Sequence, residues 1–220
     1  SGSLNHILQP ISMGPEPRLL CQHGISIGWL ENDVTVGIKP PKANSPEGIH
    51  SWTDDEITAY EKRWPSGSYQ RFAFALLLYT GQRRSDVVRI GPADIREGMI
   101  HVRQQKTKTE LLIPIHPALQ KEIDAWPGGT STFLVGARGK PLSVNGFYNV
   151  FKDWCREAGL PDNCSPHGLR KAVARRLAEA GCSPHEIAAI TGHKTLSEVS
   201  RYTRAASQQK MAESGVKKLR

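Results

Sequence analysis

A chain of 220 residues with 38% hydrophobic side chains can bury one well-packed core, or one domain and a fragment of another, and is too apolar for intrinsic disorder. No stretch of about eighteen apolar residues appears, so the sequence offers no membrane-spanning helix. Residues 51–220 hold 26 Lys+Arg against 17 Asp+Glu and the first fifty hold 3 against 4, so the basic charge belongs to one body, suited to a polyanion such as nucleic acid or simply to solubility.

The first predicted element is a helix around Arg18 to Leu30. The proline-rich polar run Lys39–Gly48 follows and reads as an interdomain linker. Residues 1–38 are too few to bury their own core, which makes them the tail of another domain, with 39–50 as linker and 51–220 as the main body. Thr53-Asp-Asp-Glu56 has the form of a capping box and opens a helix to about Trp64. Ser68 to Tyr79 is a strongly apolar helix that stops at Gly81.

Residues 99–105 and 110–115 alternate in polarity around a polar turn, predicting a β-hairpin with Lys106 and Lys108 near its tip. Pro117 opens a short helix to Trp126, Thr132–Val135 is a candidate third strand, and Ser143 caps a helix that ends before Gly159. Ser165-Pro166 starts a helix whose apolar stripe is Leu169, Ala172, Val173, Leu177 and Ala180. Two more capping boxes follow, Ser183–Glu186 and Thr195–Glu198, the second opening a helix that carries Tyr202. Gln208 to Arg220 forms a basic terminal helix. The fold class is α+β, mainly α-helical with a small antiparallel β-sheet.

The four cysteines, Cys21, Cys155, Cys164 and Cys182, form no Cys-x-x-Cys pair and no spacing typical of zinc or of a secreted disulfide frame. Reduced, buried thiols and a cytoplasmic setting follow.

Several side chains suit chemistry on a phosphodiester, and each also has a plainer explanation. Arg170 follows His167 by three residues in the first turn of a helix, so both can converge on one ligand where free amides favour phosphate. Alternatively His167 only caps and Arg170 reaches solvent. Arg83 and Arg84 follow a Thr-Gly break, with Asp86 able to orient Arg83; an exposed turn gives the same pattern. His193 sits between two capped helices, where a surface histidine is common. Lys106 and Lys108 are solvated turn lysines or fingers that touch a phosphate. Tyr202 is a core tyrosine in the stripe Leu196, Val199, Tyr202, or a nucleophile whose phenolate needs a base or the field of Arg201 and Arg204, its reference pKa being about 10.

Taken together these segments, TGQRRSD at 80–86, QQKTKTELLIPIH at 104–116, HGLRKA at 167–172 and ITGHKTLSEVSRYTR at 190–204, resemble the boxes of the tyrosine recombinases, or phage integrases. The resemblance covers roughly residues 50–215. It implies the family's catalytic-domain fold over 51–220, with 1–38 as the end of a truncated core-binding domain. It also implies a site-specific recombinase that cuts and rejoins DNA through a 3′-phosphotyrosyl intermediate without cofactor or metal. Arg83 and Arg170 would clamp the scissile phosphate, Lys106 would protonate the departing 5′ oxygen, and His167 would take the tyrosine proton. His193 would bind the phosphate, Tyr202 would attack, and Asp86 would support Arg83. Lys108 stays open beside Lys106 as the acid. Arg84, Lys108, Lys171, Lys194, Arg201 and Arg204 are candidate DNA contacts.

The partner implied is double-stranded DNA at attachment sites, engaged by a tetramer whose C-terminal segments pack on neighbouring copies, in a bacterial, nucleoid-associated prophage or mobile-element setting and with no membrane. The rivals are a type IB topoisomerase, which needs no second site, a catalytically silent DNA-binding module, and a metal-dependent nuclease, which would need acidic ligand clusters.

Overall fold

The computed structural model describes residues 16–36, 48–126, 131–136, 138–203 and 206–219, excluding the side chains of 16–18, 201 and 202. The chain divides between Gly48 and Ile49 into two compact units. The first contains α1 (Glu16–Ser26). This helix ends before the expected Leu30 because the chain turns at Gly28, φ +77°, and Trp29 N donates back to Gly24 O at 2.8 Å. Leu19, Leu20 and Trp29 stay exposed in this unit. Residues 39–47 of the expected linker lie outside the described residues.

The second unit begins with a strap, Ile49–Trp52, that lies on the main body: Lys171 Nζ donates to Ile49 O at 2.5 Å and Trp52 N to Gly168 O at 3.4 Å. In α2 (Asp54–Arg63) the capping box forms as predicted, Glu56 N donating to Thr53 Oγ1 at 3.2 Å and Thr53 N to Glu56 Oε2 at 2.8 Å. Ser68 caps α3 (Tyr69–Thr80), and Gly81 closes it in the left-handed region.

Helix α3 is the centre of the core, with Phe72 through Leu78 all buried. Tyr60 stacks on Phe74 at 4.4 Å and on Phe151 at 5.7 Å, while Trp52 meets Phe74 at 5.7 Å. Burial of each such ring contributes about 1.5–3 kcal/mol, so the strap is anchored through Trp52.

The chain then makes α4 (Arg84–Val87) and a 3-10 turn over Pro92–Asp94. The sheet is antiparallel in the order β1 (Ile95–Arg96), β2 (Met99–Arg103), β3 (Glu110–Pro114). Ile100 pairs with Ile113 and Val102 with Leu111, all four buried, and their neighbours in sequence turn outward. The third strand is not the predicted Thr132–Val135. That segment has only an isolated bridge from Val135 to Pro141, and Phe133 and Leu134 are buried without a ladder. Strand β1 takes the third place through a two-residue turn at Glu97 and Gly98, both at positive φ.

The remaining helices follow their predicted caps: α5 (Pro117–Ala125), α6 (Val144–Glu157), α7 (Pro166–Glu179), α8 (Pro184–Thr191) and α9 (Leu196–Thr203). Val199 of α9 is buried with Ala174, Ala178 and Ile187, which docks α9 on α7 and α8. The terminal helix is α10 (Gln208–Lys217). It folds back on the end of α7, with Ser207 N donating to Glu179 Oε1 at 3.0 Å and Ser214 Oγ to Ala180 O at 3.1 Å. The class is as expected, mainly helical with one small antiparallel sheet. Among the described residues no helix is long and apolar enough to cross a membrane.

Candidate active site

Three chain reversals meet at one corner of the second unit: the end of α3 at Gly81, the end of α8 at Gly192, and the start of α7 after Ser165. The β2–β3 hairpin closes the fourth side. Its turn is fixed by Gln104 N donating to Thr109 O and Lys108 N to Gln104 O, both at 2.9 Å, with Lys108 at φ 58°. Lys106 and Lys108 are both exposed on this turn, as the alternation predicted.

Arg170 is 1% exposed, far from the solvent-directed alternative. Its Nη1 donates to Gly81 O at 2.6 Å and to Thr191 O at 2.7 Å, so the guanidinium straps the end of α3 to the end of α8. Its Nη2 donates to His193 Nε2 at 3.0 Å. That bond requires an unprotonated Nε2, which places the ring proton on Nδ1, 2.7 Å from Thr191 Oγ1. Thr191 Oγ1 in turn donates to Ile187 O at 2.6 Å, so the chain of donors is consistent throughout. His193 is thus a partner of Arg170, not a surface histidine. Burial, reinforced by Arg170, pushes its pKa down to about 4, in keeping with a neutral ring.

His167 is partly buried one turn before Arg170. Burial first, then the charges of Arg170, Lys171, Arg83 and Arg84, lower its pKa to about 4. Cations from two distant segments therefore act on one imidazole, which stays neutral and able to accept a proton at neutral pH.

Arg83 caps α4 and points its Nη1 to Gln104 Oε1 at 2.9 Å. The sequence assigned the orienting role to Asp86. Asp86 instead accepts from Gln105 N at 2.8 Å, and its other oxygen is buried without a hydrogen-bond partner among the described residues. The acid holds the root of the Lys106 turn, and Gln104 holds the arginine.

Sequence reasoning missed Gln104. It is fully buried, accepts also from Thr107 Oγ1 at 2.6 Å, and donates from Nε2 to Gln82 Oε1 at 2.7 Å and Thr191 O at 2.9 Å. Gln82, also fully buried, fixes the far side by donating to Ile190 O at 2.8 Å. The signal was present in strand parity: Ile100, Val102 and Gln104 fall on the same inward face, so an amide there must find partners.

Tyr202 lies in α9, one turn after the buried Val199, and its side chain lies outside the described residues. Helix α9 follows His193 by only a short turn, in which Glu198 Oε2 accepts from Lys194 N at 3.0 Å and Thr195 N at 3.4 Å. The helix therefore starts beside the Arg170–His193 pair.

Among the candidate DNA contacts, Lys194 is exposed, Lys171 binds the strap, and the Arg84 guanidinium lies 4.6 Å above the Tyr148 ring. The Arg201 side chain and the whole of Arg204 lie outside the described residues. All four cysteines are free thiols, with Cys155 and Cys164 buried and Cys21 and Cys182 half-buried.

The architecture has counterparts. A lambda integrase dimer bound to a COC′ core site has the same fold, with TM-score 0.69 at 24% identity over 83% of this chain and 70% of that one. A lambda integrase tetramer bound to a Holliday junction matches with TM-score 0.68 at 25% identity, over 82% of this chain and 57% of that one. In sequence, the tyrosine recombinase XerC of Rhodospirillum centenum is 30% identical over 191 residues, which cover 80% of this chain and 56% of that protein. The chain thus spans little more than half the length of that relative. The sequence model described as "Phage integrase family" matches residues 55–209, which take in α2 to the first residues of α10 and every segment lining the corner. The chain belongs to the phage integrase family, the tyrosine recombinases.

Proposed function

We propose that residues 51–220 are the catalytic domain of a site-specific DNA integrase, with 39–50 as linker and 1–38 as the end of a core-binding domain. Arg83 and Arg170 hold the non-bridging oxygens of one DNA phosphate and stabilise the charge of its pentacoordinate transition state. The Tyr202 phenol oxygen attacks phosphorus and His167 takes the phenolic proton. The bond to the 5′ oxygen breaks, Lys106 supplies its proton, and a 3′-phosphotyrosyl link remains. Lys108, on the same turn, is the alternative acid. Guanidinium, imidazole and ammonium groups supply the charge and proton transfers, so no step needs a metal.

The observation that carries this function is the shared frame of the two arginines, which reaches both through Gln104 and the Thr191 carbonyl, with neutral His167 in their field. At 1% exposure Arg170 is closed off, so phosphate entry includes an opening of the wall above it. His193 holds Arg170 and reaches the phosphate only in that opened state. Asp86 supports the site through the hairpin.

The full protein would act on double-stranded attachment sites as a tetramer, in the bacterial cytoplasm on nucleoid DNA, within a prophage or similar element. The DNA-bound dimer and tetramer of lambda integrase support that assembly. The test is covalent capture. Nicked duplexes with randomised cores are incubated with the protein, and adducts surviving denaturant are mapped to the peptide. Tyr202→Phe abolishes the adduct and leaves DNA binding nearly unchanged; an adduct that persists in Tyr202→Phe reassigns the nucleophile. Strand exchange between two sites, as against relaxation of one supercoiled circle, separates a recombinase from a topoisomerase.

A further inference from the structure

Just before α7, side chains from two distant segments of the chain converge. His50 comes from the strap, Glu56 from the first turn of α2, and Cys164 from the residue before the α7 cap. Their ligating atoms all lie within 4.8 Å of one another, and this is the His/Cys/Asp/Glu trio of that kind among the described residues. His50 Nε2 lies 3.0 and 2.8 Å from the two Glu56 oxygens. The Cys164 thiol is fully buried beside the same carboxylate. Nothing in the phosphate chemistry uses these groups.

We propose that His50, Glu56 and Cys164 bind a zinc ion that fastens the strap and α2 to the start of α7. Imidazole nitrogen, carboxylate oxygen and thiolate sulfur are the three donors zinc takes, and water can complete a tetrahedron from the partly open His50 side, where exposure is 26%. Bonds of about 2.0–2.3 Å put tetrahedral donors roughly 3.3–3.7 Å apart. The His50–Glu56 edge must widen by several tenths of an ångström, and no edge need shorten by more than about one.

The supporting groups are in place. Thr53 N fixes Glu56 Oε2 at 2.8 Å, and Cys164 N is held by Pro161 O at 3.0 Å. The strap's position is set independently: a Cβ on Gly168 would fall 2.3 Å from His50 O, and Trp52 Nε1 donates to Ser165 O at 3.0 Å. One nearby cation opposes the ion, Lys152, whose Nζ donates to Cys164 O at 2.9 Å. The carboxylate and a thiolate together outweigh it. The ion's part is structural, stiffening the turn that presents His167 and Arg170.

The whole chain, stripped with chelator, is titrated with cobalt(II) chloride and then with zinc chloride. Intense tetrahedral d–d bands with a thiolate-to-cobalt charge-transfer band appear, and zinc bleaches them. Cys164→Ser removes the charge-transfer band and weakens binding at least about tenfold, and Cys182→Ser changes neither. The unfolding midpoint of wild type rises progressively with free zinc, and that of His50→Ala does not. His50→Ala, changed at a partly open position, decides the matter should Cys164→Ser fail to fold. A cobalt spectrum without the thiolate band, one unchanged by Cys164→Ser or by His50→Ala, or a midpoint indifferent to zinc in wild type overturns the site.

Discussion

Arg83 and Arg170 share one hydrogen-bonded frame although they sit on different helices. Arg83 Nη1 donates to Gln104 Oε1 at 2.9 Å, Gln104 Nε2 donates to Thr191 O at 2.9 Å, and Arg170 Nη1 donates to that same carbonyl at 2.7 Å. The two guanidiniums are thus linked through the Gln104 amide, which accepts from one and shares a carbonyl with the other. Two cations held this close repel each other. The frame offsets that repulsion with fixed acceptors, and it leaves a field that a phosphate can neutralise.

Gln104→Leu keeps the volume and removes the frame. Gln82 Oε1 and Thr191 O each lose a buried donor, costing about 1–3 kcal/mol of stability. Arg83 loses its orienting acceptor, and the single-turnover rate of covalent adduct formation drops by roughly a hundredfold. In a double-mutant cycle with Arg83→Ala the two losses are strongly non-additive. Full additivity, or an unaltered rate, means that Gln104 does not act through Arg83.

Gly192→Ala tests the same frame from its other side. The residue sits at φ +70°, and a Cβ would fall 2.4 Å from Gln104 Nε2. Gly159 is the control, at φ +71° with nothing within 4 Å of its added Cβ. Gly159→Ala incurs only the left-handed backbone cost of about 1–2 kcal/mol. Gly192→Ala loses more stability than that and slows adduct formation, whereas Gly159→Ala leaves the rate alone. Equal effects in melting and cleavage assays remove the close approach as the cause.

Much of this corner was legible in the sequence because local signals there are strong. Ser165 and the box at Thr195 mark helix starts by side chains that satisfy free amides, Gly81 and Gly192 mark helix ends by the left-handed backbone they admit, and the predicted functional segments other than the hairpin lie beside such ends. What the chain alone could not reveal was the pairing between segments. The exchange of roles between Asp86 and Gln104 depends on how the residues just after β2 meet α4 and its cap. Strand β1 is two residues long, too short for alternation to register, and Thr132–Val135 has strand composition but finds no ladder partner. The depth of Arg170 was equally hidden, since a helix N-terminus ordinarily faces solvent.

Salt dependence checks which cations meet the DNA. Log affinity falls linearly with log salt at a slope near −0.9 per neutralised phosphate. Among the described residues the exposed Lys194 side chain anchors nothing, so Lys194→Ala weakens binding evenly across sequences and makes the slope shallower by about one. Lys171→Ala also frees the strap carbonyl of Ile49 and lowers thermal stability, which Lys194→Ala does not. A slope identical to wild type in Lys194→Ala places that lysine off the DNA.

The two depressed histidines set the response to mild acid. His167 and His193 both fall from 6.5 to about 4 on folding, mainly through burial. Below the unfolded value the denatured chain takes up protons that the native chain refuses. Their contribution is therefore complete above pH 6.5 and is lost as pH falls from there toward 4, by roughly 1–3 kcal/mol for each ring after allowing for partial exposure. The carboxylates Asp54, Glu56, Glu179, Glu186 and Glu198 are held below their ordinary range, so they enter only at the acid end of this window. Denaturant unfolding at a series of pH values gives a flat stability above 6.5 and a descending limb below it. His167→Asn removes about half of that slope, and a bound DNA duplex, whose phosphate favours the imidazolium in the native state, makes the limb shallower. Stability that stays level through the descending region shows that the rings titrate normally and that His167 is not held neutral for the tyrosine.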